Sequence, residues 1–139
     1  MHYGQATVLS ATFLSAVAAV SRVLPAPLQL PEEPLVTVYG VMCRNVAWLA
    51  GKDYNIAAVD VACVFDGEVD RNVHGSFCVV MWENMTEPIL GGRDHSGVPK
   101  IYASITDFQR RDDTCSMAVS HFGHPIFDLS ASGRTPLDN

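Results

Sequence analysis

Tyr54-Asn55-Ile56-Ala57-Ala58-Val59-Asp60-Val61-Ala62-Cys63-Val64-Phe65, followed at once by Asp66-Gly67, reads as a strand that runs into a tight reversal. Asp-Gly supplies the positive φ angles such a reversal needs, and His74 to Trp82 follow as the returning strand. Upstream, Leu35-Val36-Thr37-Val38-Tyr39-Gly40-Val41-Met42 is a second run of strand formers, set off by the turn-rich Pro25 to Pro34. Thr7 to Leu14 add one more strand. Ser15 then offers an N-cap for a short helix through about Leu24, which Pro25 stops, and Val17, Val20 and Leu24 share one face of it.

Downstream, the prolines, glycine pair and charges of Glu87 to Pro99 predict a loop or broken segment. Pro99 to Ile105, Cys115 to His121 and Pro125 to Leu129 predict three more strands, with Arg110-Arg111-Asp112-Asp113 as an exposed turn. About seven strands and one short helix make a β-rich α+β domain, a barrel or closed sandwich, with residues 1–139 as one unit. There is no repeat, heptad or low-complexity tract.

Composition narrows the function. Apolar residues at 48% and charged residues at 17% describe a chain that folds. A net charge of -6 with nine scattered Lys and Arg gives no basic stripe for nucleic acid. No run of apolar residues is long enough to cross a bilayer as a helix. Ala6 to Val20 imitate a secretory signal, but Met1 to Gln5 carry no Lys or Arg, so a cytoplasmic protein is expected, and the Asn84-Met85-Thr86 triplet matters only in a secreted one. Cys43, Cys63, Cys78 and Cys115 form no CxxC pair and read as reduced core thiols. His121 and His124, with Cys115 upstream, have zinc-like spacing but no second ligand pair, so neither metal nor cofactor is expected. Only Lys52 and Lys100 can supply an amine.

Glu87-Pro88-Ile89-Leu90-Gly91-Gly92-Arg93-Asp94-His95-Ser96-Gly97-Val98-Pro99-Lys100 is similar to the signature of the acetoacetate decarboxylase-like superfamily, in which a Gly-Arg-acid stretch leads through a small-residue turn to Pro-Lys. Val20 to Pro25 with Glu33 to Val36 resembles the family's opening helix, Leu-Pro turn and first long strand. Ser116 to Leu129, with Gly123-His124-Pro125, resembles a following hairpin. The resemblance covers most of this chain, but family members continue through further barrel strands. It therefore implies an acetoacetate decarboxylase-like barrel or closed sandwich, incomplete at its C-terminus, which is either a trimmed or cleaved form or one whose missing strands come from a second copy or another chain.

The resemblance implies that Lys100 is a Schiff-base nucleophile. A lysine with an ordinary pKa of about 10.4 is protonated at neutral pH and attacks no carbonyl until its charged form is disfavoured. Val98, Pro99, Ile101 and Tyr102 supply an apolar setting for that, and the activated lysine of acetoacetate decarboxylases is a standing example of the device. A protonated imine then accepts the electron pair of a breaking C–C bond, or yields an enamine that adds to an aldehyde. Arg93 is the candidate for a substrate carboxylate, and Tyr39, Tyr54, Ile56, Ile101 and Tyr102 are candidates for the pocket wall.

The chain departs from the family where a second lysine follows the first, here Ile101. It departs again where a glutamate stands two residues after a tyrosine, here Ile56, and where the first strand carries an arginine. Asp60, on the same strand face as Ile56, can offer a displaced carboxylate. Three readings follow. One is a lyase of decarboxylase or aldolase-dehydratase type, acting on a small keto acid or polyketide-like carbonyl compound of secondary metabolism. Another is a non-covalent binding protein, cyclase or isomerase for a hydrophobic metabolite. The last is an interaction module completed by a partner.

Overall fold

The computed structural model describes residues 2–133 and is built on two β-sheets. The first has the order β1-β2-β3-β4-β5, from strands β1 (Tyr3–Leu14), β2 (Leu35–Val46), β3 (Lys52–Phe65), β4 (Val73–Glu83) and β5 (Lys100–Tyr102). Its first four strands are antiparallel neighbours, while β5 lies parallel to β4. That parallel step needs a crossover, and α2 (Thr86–Ser96) provides it. The second sheet centres on β8 (Thr114–His121), with β9 (His124–Ala131) paired to it and the short β6 (Ser104–Ile105) and β7 (Gln109–Arg111) bonded to opposite ends of it.

β3 is buried on both faces, as the centre of a covered sheet must be, which explains its near-continuous apolar run. On one face, Ala57 packs with Ala103, Ile105, Met117 and Val119, and Trp82, Phe108 and Phe127 close around them. Gly40 lets the second sheet come close, since a Cβ there would stand 2.5 Å from the Met117 sulfur. Buried Asn55 fastens the two sheets, donating from Nδ2 to the Ile105 carbonyl (3.3 Å) and to Asp107 Oδ1 (2.8 Å). Arg44 reaches the same Asp107 oxygen at 2.7 Å, and the Asn55 bond followed by this guanidinium lowers the Asp107 carboxyl below its ordinary range.

The β-rich α+β class read from the sequence stands, and the elements differ from expectation at several points. Glu87 to Pro99 is mostly helix. Pro88 falls in the first turn of α2, where its missing N–H would have no intrahelical partner anyway. The N-terminal helix α1 is only Val17–Val20, with Ala16 rather than Ser15 at its N-cap, because the Ser15 N–H bonds the Pro34 carbonyl at the end of the β1–β2 pair. Pro99 to Ile105 divides between the two sheets at fully buried Ala103, whose N–H donates to the Glu83 carbonyl. Part of the expected Arg110–Asp113 turn is strand β7, leaving Asp112, at φ 51°, as the turn residue. Among the described residues no ladder joins the two sheets, so no closed barrel is shown, and the sheets meet through the packing of Ala57 on Ile105, Met117 and Val119. None of the described helices is long and apolar enough to cross a membrane.

Candidate active site

The site lies at the crossover. Met85 is extended, α2 begins at Thr86, and the helix ends where Gly97, at φ 64°, turns the chain and satisfies carbonyls of the last turn. Gly97 N–H bonds the Arg93 carbonyl at 3.2 Å and Val98 N–H the Gly92 carbonyl at 3.1 Å. Glu87 in the first turn and Arg93 and His95 in the last complement the helix dipole. The chain then enters β5 at Lys100. Its register against β4 puts Lys100 in one cross-sheet row with Met81, Ala58 and Tyr39.

Lys100 has a side chain only 13% exposed, and its Nζ lies 2.7 Å from Glu83 Oε1. Nζ also donates to the Pro88 carbonyl at 3.2 Å, so the first turn of α2 holds it from above. Glu83 is completely buried at the end of β4, and its second oxygen, Oε2, has no partner. Burial pushes the Glu83 carboxyl above its ordinary range, outweighing the hydrogen bond and charge of Lys100, which pull it down.

A cavity of about 480 Å³ opens onto the amine, walled by Tyr3, Trp48, Tyr54, Pro88 and Val98. His95 and Ser96 stand at its exposed rim. The Tyr54 ring meets Trp48 edge to face at 6.4 Å, and its hydroxyl lies 3.3 Å from that of Tyr3. Burial foremost, then the Tyr3 hydrogen bond, raises the Tyr54 phenol well above its ordinary value, so it stays neutral.

This geometry can supply a neutral amine. An ionised Glu83 would leave one carboxylate oxygen buried and unpartnered, which is costly. If the proton crosses the 2.7 Å bond from Nζ to Oε1, the ion pair becomes a carboxylic acid beside an amine. The unpartnered atom is then only a carbonyl oxygen. One proton is thus shared between Glu83 and Lys100.

Gly92 gives Lys100 its room, because a Cβ there would fall within 2.6 Å of Nζ and closer still to Cε. The Lys100 tip is flexible, so Gly92→Ala is expected to leave a folded protein with the amine displaced from Glu83, at a cost in urea melts near pH 8 that approaches the ~3–5 kcal/mol of a broken buried pair, offset by about 1 kcal/mol of helix propensity. Carbonyl-dependent labelling of Lys100 would then be lost from a folded protein; labelling at the wild-type rate would contradict this packing.

Of the residues expected from sequence, the structure brings Lys100 and Tyr54 to the cavity. Ile56 is the cross-strand partner of Glu83, so a carboxyl absent from β3 is supplied at the same register by β4. Arg93 is exposed and its Nη1 donates to the Lys100 carbonyl at 2.8 Å, fixing the start of β5 and not facing the cavity. Ile101 and Tyr102, 43% and 45% exposed, lie outside the cavity wall.

Asp60 stands apart, at a register shift of the β3–β4 ladder, beside Tyr39 and Cys78 and away from the wall around Lys100. Burial first, then Asp60, raises the Tyr39 phenol and pushes the Cys78 thiol to about 11. Lys52 is exposed at the start of β3. Among the described residues no group of three or more His, Cys, Asp or Glu is placed to hold a metal. Sequence reasoning missed Glu83. Its signal was an acidic residue at the end of an otherwise apolar strand.

The α+β scaffold thus sets a recessed lysine beside a buried acid at one cavity. The family model for acetoacetate decarboxylase matches residues 1–138, and the chain belongs to that family. Among solved structures, an acetoacetate decarboxylase from Legionella pneumophila subsp. pneumophila str. Philadelphia 1 superposes with a TM-score of 0.80 at 20% identity, covering 94% of this chain and 49% of that one. A second, from structural studies of acetoacetate decarboxylase, gives 0.81 at 18% identity, covering 94% and 50%. At these identities the likeness shows the fold, and the chain spans about half the length of the solved structures it matches. No curated protein matches it.

Proposed function

We propose that this protein is a lyase that forms an imine between Lys100 and a carbonyl compound. The observation that carries the reading is the Lys100 amine held 2.7 Å from a completely buried Glu83 at the floor of an apolar cavity. Family membership supports decarboxylase-type chemistry.

In this reading Glu83 takes the ammonium proton and the free amine adds to the substrate carbonyl. Glu83 returns the proton to the carbinolamine oxygen, and water leaves as the C=N bond forms. The protonated imine then accepts an electron pair from the adjoining carbon. Where that pair comes from a C–C bond to a carboxylate, carbon dioxide departs. Where it comes from a C–H bond, Glu83, now a carboxylate, takes the proton. Either route leaves an enamine.

Borohydride reduction with a panel of ketones and keto acids, followed by peptide mapping, tests the reading cleanly because the chain has two lysines. A carbonyl-dependent adduct on Lys100 and none on Lys52 is the expected result. Folded protein with no adduct would turn the reading to a non-covalent binder or cyclase. That no ladder joins the two sheets among the described residues supports a second proposal, that a second copy or another chain completes the domain. Light scattering showing a stable, active monomer would remove it.

A further inference from the structure

We infer that Asn84 is a positioning residue for the reactive pair: its side chain stands in for a backbone carbonyl at the end of β4, and so sets both Glu83 and the first turn of α2 against Lys100. The inference rests on the reading of Lys100 and Glu83 as that pair.

The β3–β4 ladder shows the need. Its last pair is Ile56 with Glu83, so the next sets Asn55 opposite Asn84, where an antiparallel pair would exchange two backbone bonds. One of them is made, from the Asn84 N–H to the Asn55 carbonyl at 3.4 Å. The other goes to a side chain, since the Asn55 N–H donates to Asn84 Oδ1 at 2.8 Å. An asparagine side chain ends in the same amide as the backbone, so it takes over the ladder bond that the main chain gives up. The Asn84 backbone is then free to bend out of the sheet, through extended Met85 and into α2 at Thr86.

Both partners of the Lys100 amine depend on where that departure falls. Glu83 is the residue before it, with Oε1 2.7 Å from Nζ. The Pro88 carbonyl, 3.2 Å from Nζ, comes from the helical turn that follows it.

Asn55 gives Asn84 a fixed point. It is 2% exposed, and its side chain is held by Arg44 Nη1 at 3.2 Å, by the Ile105 carbonyl and by Asp107. From the β5 side, the Ala103 N–H donates to the Glu83 carbonyl at 3.0 Å. The Glu83 backbone is thus clamped from two directions. Without the Asn84 oxygen, the buried Asn55 N–H loses its acceptor, and the end of β4 shifts to relieve it. A displacement of about 1 Å is enough to slow a positioned reaction by about 10²-fold.

The test follows borohydride trapping of a ketone and keto-acid panel on Lys100 against carbonyl concentration, beside trace acetylation of Lys100 relative to exposed Lys52, which needs no imine. Asn84→Ala is expected to lower the saturating trapping rate by about 10- to 100-fold, with the half-saturating concentration unchanged. Acetylation of Lys100 relative to Lys52 is expected to fall with it, as Glu83 moves off the amine. Asn84→Asp, which keeps an oxygen for the Asn55 N–H, is expected to restore both. Asn84→Ser, whose acceptor reaches less far, is expected to fall between them, and it replaces the alanine variant if that one does not fold. Wild-type behaviour without the amide oxygen, an effect confined to the half-saturating concentration, or failure of Asn84→Asp to restore the rate would overturn the inference. If wild type traps no carbonyl, the imine reading fails and the acetylation ratios decide alone: a loss in Asn84→Ala that Asn84→Asp reverses upholds the positioning role, and equal ratios end it.

Discussion

Lys100→Met is expected to abolish carbonyl trapping and to destabilise the protein by about 3–5 kcal/mol near pH 8, with much of that deficit disappearing by pH 4. The magnitude is that of removing one partner from a buried ion pair and leaving the other charge uncompensated. Glu83 is that other charge, fully buried, with one oxygen already unpartnered. Its carboxyl is raised by burial even with Lys100 present, and Lys100 is the group that pulls it down, so the variant raises it further.

A group whose folded-state pKa exceeds its unfolded value contributes stability below the unfolded value, about 4.3 for glutamate, and loses it as pH rises through the folded one. Urea melts of wild type and variant should therefore diverge as pH rises from 4 to 8. A deficit that does not change with pH would mean that Glu83 is not the group left behind.

Glu83→Gln is the complementary case. The amide keeps the shape and still accepts a hydrogen bond from the ammonium, but it has no site for the transferred proton. Imine formation is expected to slow by about 10²–10⁴-fold, the usual contribution of a positioned acid–base group. A circular dichroism spectrum that matches wild type beside slowed trapping distinguishes this from misfolding. Variant and wild-type rates that match would reduce Glu83 to a packing residue.

Much of the architecture was legible because β-branched runs report on local conformation, and β2, β3 and β4 emerged close to where they were expected, although the reversal after β3 is a loop over residues 66–72 whose positive φ falls at Asn72 and not at Asp66 or Gly67. α2 was hidden by its own composition. Pro88, Gly91 and Gly92 weaken helix propensity, yet Pro88 sits where a missing N–H costs nothing and Gly92 is required by the Lys100 side chain. Tertiary contact, not local preference, decided that segment.

Lys100 could be found from its motif, and Tyr54 from its neighbourhood in the strand. Glu83 could not be found by looking along β3 for a displaced acid, because strand pairing, which places it opposite Ile56, is a non-local fact. The same blindness put forward Asp60, whose face is right but whose position along the strand is too remote from the amine cavity. Arg93 matched the motif, but its guanidinium is committed to the backbone of Lys100.

The strand–helix–strand crossover has a consequence for how such a protein diverges. Glu83 and Lys100 are 17 positions apart in the chain and share one contiguous unit, β4–α2–β5, while Tyr3, Trp48 and Tyr54 come from other segments. Bringing the pair together closes only a short loop, at modest entropic cost, so their meeting depends little on how distant parts of the chain are arranged. Amine and acid are inherited together, and the residues that choose the guest are inherited separately. The cavity wall can therefore drift while the Lys100–Glu83 pair stays intact.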